Sequence, residues 1–238
     1  MPTTLDHLMV ALFAVAWPCY VLFVEMPRFR RRQAAGEPVR LIRDYLQTIA
    51  LQWSLAVLAL IVWSASGRPL ADLGFRLPRG WHLWIGGGLV VAAIVGLWLQ
   101  LAMVRAQATA RELLRRQVAP LAFLLPTRPT ELRVFYAVAV TAGLCEELLF
   151  RGYLIWYLDL LIGLPAAIGV SSLLFGLGHA YQGRDGAMRA GLTGLAMAAL
   201  YLPTRSLLLP VVAHAMIDAL GGRTAYEALR EEQPAAAA

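Results

Sequence analysis

Long apolar runs alternate with short polar, mostly basic stretches along the whole chain. Seven runs read as membrane-crossing helices, at roughly 8–25, 46–64, 82–104, 133–153, 164–180, 187–203 and 206–221. The pattern predicts an all-α polytopic membrane protein with about seven transmembrane helices around a polar intramembrane cavity. An eighth is added if LAFLLP at 121–126 enters the bilayer. Pro18 removes a backbone donor and predicts a kink in the first run. Gly86, Gly87 and Gly88 open the third to close helix approach. The last three runs are short, which calls for tilt or local bilayer thinning.

The polar stretches set the topology. Arg28, Arg30, Arg31, Arg32, Arg40 and Arg43 crowd one loop, and Arg105, Arg111, Arg115, Arg116 and Arg128 another. This bias places both loops in the cytoplasm, the N-terminus outside and the C-terminus inside. The leading MPTTLDH lacks a basic segment, so the first run reads as a retained span. Residues 104–118 interleave apolar and basic positions and fit either a helix on the membrane surface or a solvated connector. The chain then divides into N-terminal helices and basic loops (1–130), a transmembrane core (131–222) and a tail (223–238) that reads as a short frayed helix.

Composition narrows the setting. With 59% hydrophobic and 15% charged residues, the chain is too apolar for a soluble domain, whose charged share is about 25%. The net charge of +6 sits in short loops beside apolar runs, so it points to the lipid bilayer and not to nucleic acid. Every basic residue is arginine, a bias of GC-rich bacterial genomes that suggests a multi-pass protein of the bacterial inner (plasma) membrane. Cys19 and Cys145 both fall in apolar runs and read as buried thiols, not a disulfide.

The chemistry concentrates in three of the runs. Glu146, Glu147 and Arg151 lie in VTAGLCEELLFRGYLIWY, His179 ends SSLLFGLGHA, and His214 and Asp218 lie in LLLPVVAHAMIDAL. A charge at the bilayer centre costs at least about 2.5–3.5 kcal/mol on insertion scales, so such residues face partners or a cavity. Glu147 and Arg151 have the favourable i, i+4 order for an ion pair. That leaves Glu146 as the candidate base, although spacing alone does not decide which glutamate faces the cavity. Asp218, four residues after His214, can accept an imidazole N–H and set its tautomer, leaving the other nitrogen for substrate, water or metal. Phe175 can pack beside His179 and exclude bulk water. Plainer readings stand beside these: His179 capping a carbonyl, His214 and Asp218 in a structural hydrogen bond, Glu147 with Arg151 as a scaffold, and Phe175 as packing.

In order, Glu146-Glu147-x-x-x-Arg151, Phe175-x-x-x-His179 and His214-x-x-x-Asp218 resemble the three motifs of the CPBP family. That family comprises the type II CAAX prenyl proteases and the bacterial Abi or bacteriocin-processing proteins; the resemblance covers about residues 133–221. It implies an intramembrane endopeptidase of the glutamate type acting on a membrane-associated protein or peptide. Glu146 would activate water with help from His179, while His214 and Asp218 would bind the scissile carbonyl and its oxyanion. Glu147 and Arg151 would hold the site together. Many relatives carry asparagine at the last position; aspartate there favours an orienting or metal-ligand role. The expectation is no cofactor, with zinc on His179, His214, Glu146 and Asp218 as the alternative. Substrates implied are prenylated CAAX proteins, bacteriocin leaders or C-terminal anchors cut in the manner of myxosortases. A non-catalytic immunity or scaffold protein and a proton-coupled transporter are the competing classes. Oligomeric state is not legible.

Overall fold

A bilayer offers backbone groups no water, so a spanning chain must satisfy them within helices or a closed barrel. The computed structural model describes residues 1–35 and 40–230, and among these there is helix and no strand. α1 covers residues 4–34, α2 Leu41–Ala65, α3 Trp81–Ala106 and α4 Ala108–Val118. α5 covers residues 129–162, followed by α6 Leu164–Gly178, α7 Gly183–Tyr201 and α8 Leu208–Leu229.

All seven predicted runs are helical. Among the described residues three helices are long and apolar enough to cross a membrane: Thr4–Arg31, Leu41–Ala65 and Trp81–Ala106. A fourth is added only if α6 and α7, whose axes make an angle of 52° across a short break, are counted together. With 15 residues α6 is about 22 Å long, short of a hydrocarbon core of about 30 Å. α7 then runs back along it. A Cβ on Gly194 would touch Ser172, and one on Gly176 would touch Gly191. The predicted runs 164–180 and 187–203 are thus two arms of one helical hairpin. The 121–126 segment adds no span, because Ala119–Leu124 is a 3-10 turn of six residues.

Other local expectations are modified in detail. The first helix continues through Pro18, flanked by π-turns at Ala11–Ala16 and Val21–Glu25 that absorb the missing donor. Of the three consecutive glycines only Gly86 meets a neighbour, the Leu209 side chain. Residues 104–118 contain α4, set off from α3 by an extended Gln107. Residues 224–229, assigned to a frayed tail, instead continue α8. Glu227 there is buried and paired with Arg105, Arg223 and Arg230 at 3.0, 2.7 and 3.1 Å. The remainder of that tail, 231–238, lies outside the described residues. Both cysteines are free, but Cys19 is exposed and only Cys145 is buried.

Two seams hold the functional helices in register. α5 and α8 run antiparallel, with Gly143 against Ala215 and Val211 and Gly222 against Phe135. α2 lies along α5, where the Trp53 indole donates to Thr141 Oγ1 at 3.3 Å. A polar clasp closes the end of the bundle that carries the N-terminus. Asp6 is fully buried and accepts hydrogen bonds from Arg68, at 2.9 Å for Nη1, and from the Tyr153 hydroxyl. The Arg68 guanidinium lies 4.9 Å from the centroid of the Trp63 ring and 4.3 Å from that of Trp156. Its hydrogen bond to Asp6 holds its proton more tightly than usual. Asp6→Ala would strand that guanidinium among aromatic rings. Loss of about 3–5 kcal/mol of stability is expected, measured by thermal unfolding in detergent against Asp6→Asn, which should lose less.

Candidate active site

The site grows from the middle of α5. Its α-helical part ends at Glu147 and passes into a π-turn over Leu148–Leu154. Such wide turns inside helices occur frequently at functional sites. Glu147 is 0% exposed and Arg151 is 1% exposed. One oxygen of Glu147, Oε1, accepts from Arg151 Nη1 at 3.1 Å and from His214 Nδ1 on α8 at 2.7 Å. Arg151 also donates through Nη2 to the Gly194 carbonyl on α7 at 3.0 Å, and its guanidinium lies 4.4 Å from the Phe175 ring centroid. The i, i+4 pair predicted between Glu147 and Arg151 therefore ties α5 to α6, α7 and α8.

Glu146 occupies the next face. Its Oε1 accepts from the Gln52 side-chain amide on α2 at 2.7 Å. Its other oxygen, Oε2, is buried without a hydrogen bond and lies 3.9 Å from His214 Nε2. Asp218 Oδ2 stands 3.5 Å from that same nitrogen. The spacing suggested that Asp218 sets the His214 tautomer. In the structure Glu147 takes the closer bond, at Nδ1, while Asp218 shares the Nε2 side with Glu146. The reason is reach: burial brings Glu147 across the α5–α8 seam to the ring, while Asp218 remains 37% exposed.

His179 lies where α6 breaks. Its Nδ1 lies 2.8 Å from the Phe175 carbonyl. A carbonyl only accepts, so Nδ1 carries a proton, and in the neutral ring Nε2 then keeps its lone pair. The plainer reading of His179 as a carbonyl cap is therefore true, and that contact also orients the ring. Phe175 is the hub between the imidazoles, with ring centroids 4.7 Å from His179 and 5.9 Å from His214. Phe150 meets it edge-on at 5.0 Å. The seven residues singled out from sequence thus form one connected group.

Three further residues were not singled out from sequence. Gln52 is a polar residue in the predicted 46–64 span, a signal available in the sequence. Gly194 is closely packed, since a Cβ there would lie 3.2 Å from Arg151 Nη2 and 3.3 Å from the Phe175 ring. Tyr181 stacks near His179, at 5.9 Å, and lies within electrostatic reach of Glu146 and Asp218. Only the turn that follows His179 brings it there.

Residues 128–220, from the start of α5 into α8, match the family described as type II CAAX prenyl endopeptidase Rce1-like. The match covers less than half of the chain, and over that segment the chain is similar to the CPBP family of CAAX proteases. No curated protein and no solved structure matches it. The CPBP segment holds every motif residue, whereas Gln52 and the Asp6 clasp lie outside it. Among the described residues no group of three or more His, Cys, Asp or Glu side chains is placed to hold a metal ion.

The bifurcated grip of Arg151 generates a test. Arg151→Met leaves the Glu147 charge buried with only His214 to compensate it, and a stability loss of about 3–5 kcal/mol is expected. Arg151→Lys keeps the charge but cannot span Glu147 and the Gly194 carbonyl together, so its unfolding midpoint should fall between those of Arg151→Met and wild type. Thermal unfolding of the purified variants reads both.

Proposed function

We propose that this chain is an intramembrane endopeptidase that hydrolyses a peptide bond of a membrane-associated protein or peptide with water activated by Glu146. The observation that carries the reading is the division of labour between adjacent glutamates. Both glutamates keep a buried Oε2 without a hydrogen bond, but Glu147 is fully enclosed and compensated by Arg151 and His214, whereas Glu146 is 16% exposed and its Oε1 is held by the neutral Gln52 amide. A carboxylate acceptor held in a protected site can take a proton from water.

In this mechanism Glu146 Oε2 removes a proton as the water oxygen bonds to the scissile carbonyl carbon. The electron pair of the carbonyl moves onto its oxygen. His179, with a lone pair on Nε2, helps orient the water. His214 has carboxylates beside both ring nitrogens, so the ring can hold two protons and offer its Nε2–H to the oxyanion. Collapse of the intermediate breaks the C–N bond, and Glu146 returns its proton to the leaving nitrogen. Asp218 orients His214 from the more exposed side, and Phe175 keeps bulk water from the imidazoles. Water activation is metal-independent in this reading.

The substrate classes are a C-terminal anchor, a leader peptide or a prenylated CAAX peptide, and the arginine-only basic composition favours action in a bacterial inner membrane. Purified protein should be incubated with each class in liposomes. Wild type is expected to cleave at least one of them, and Glu146→Ala to lose at least about a hundredfold in rate. Cleavage should survive a chelator. Loss on chelation with recovery on added zinc would replace the metal-free mechanism, and cleavage undiminished in Glu146→Ala would remove Glu146 as the base.

A further inference from the structure

We propose that Gln52, on α2, is the positioning residue that holds Glu146 with one carboxylate oxygen engaged and the other directed to its task. The inference rests on the protease reading above and adds to it a residue outside the CPBP segment.

The Gln52 amide nitrogen donates to Glu146 Oε1 at 2.7 Å. Its orientation is set by chemistry: turning the amide over would bring its oxygen against a carboxylate oxygen, two acceptors facing each other. The same side chain leaves its own Oε1 buried without a partner. A glutamine within an apolar helix whose acceptor is unpaired is held in place by what its donor does, and that donor is on Glu146.

Neighbouring contacts make the bond rigid. Trp53, the next residue, donates to Thr141 Oγ1 on α5 at 3.3 Å. α2 is therefore pinned to α5 at two points, one to each side of the 142–145 stretch. With Oε1 occupied by Gln52, the carboxylate plane of Glu146 is fixed and Oε2 alone remains for proton transfer. Neither His214 nor Asp218 supplies this restraint, since neither gives Glu146 a hydrogen bond.

The test compares Gln52→Met, which keeps the side-chain length but has no amide, with Gln52→Glu as a size-matched second variant should the first fail to fold. Steady-state cleavage should show kcat reduced by at least about tenfold with KM within a factor of about two, the mark of lost orientation and not of lost binding. Unfolding midpoints of Gln52→Met, Glu146→Ala and the double variant form a cycle that reads the contact without any substrate. The expected midpoint shifts are non-additive, because either single change already removes the bond. Wild-type kcat, a loss confined to KM, or additive midpoint shifts would each overturn the assignment. A wild-type protein that cleaves nothing would remove the protease reading, and the cycle alone would then decide whether Gln52 holds Glu146.

Discussion

A carboxylate with no exposure has to be compensated inside the protein, and Glu147 is that carboxylate. Removing a charge from water costs several kcal/mol, which only short contacts and further hydrogen bonds offset. Glu147 meets the requirement with Arg151 one turn along its own helix and His214 on a helix far along the chain. Arg151, itself buried, must then be satisfied too, and it reaches the Gly194 backbone and the Phe175 ring. One buried charge therefore fixes the mutual placement of α5, α6, α7 and α8. It also gives position 194 a preference for glycine: a Cβ would press on the guanidinium at 3.2 Å.

The neighbouring glutamate inherits its role from helix geometry. Successive residues on an α-helix are about 100° apart, so Glu146 and Glu147 cannot share an environment. Glu147 faces the α8 seam and Glu146 faces α2, where it meets Gln52 instead of a cation. Two carboxyl groups one residue apart thereby acquire different partners, and with them different chemistry. The hairpin of α6 and α7 completes the site, because its broken tip sets His179 and Tyr181 beside it.

The Asp6 clasp shows that the N-terminal helix is tied to the same helix that bears Glu146, Glu147 and Arg151. Tyr153 lies in the π-turn that also contains Arg151, and it donates to Asp6. Arg68 connects that carboxylate to Trp63 and Trp156. Strain or loosening at α1 would therefore be felt in the turn that presents Arg151, even though α1 contributes none of the three motifs.

Much of this was legible in the residues alone. Apolar runs identified the helical segments, because a bilayer admits few other structures. The i, i+4 spacing of Glu147 with Arg151 identified their ion pair, because a helix brings those positions together wherever it lies. The three motifs in order pointed to the same family that residues 128–220 match. Hydropathy recorded that 164–180 and 187–203 are apolar, but not that they pack so closely that Gly176 meets Gly191 and Gly194 meets Ser172. Nor was the second partner of His214 legible: spacing pointed to Asp218, which stands 3.5 Å from Nε2, but not to Glu147, 67 residues away in sequence, at Nδ1. The sequence by itself determined what is local, namely helix, charge and the pairing within one turn. Only the tertiary structure decided which buried acceptor meets which donor, because a buried charge takes whatever compensating partner the packing of other helices brings within reach.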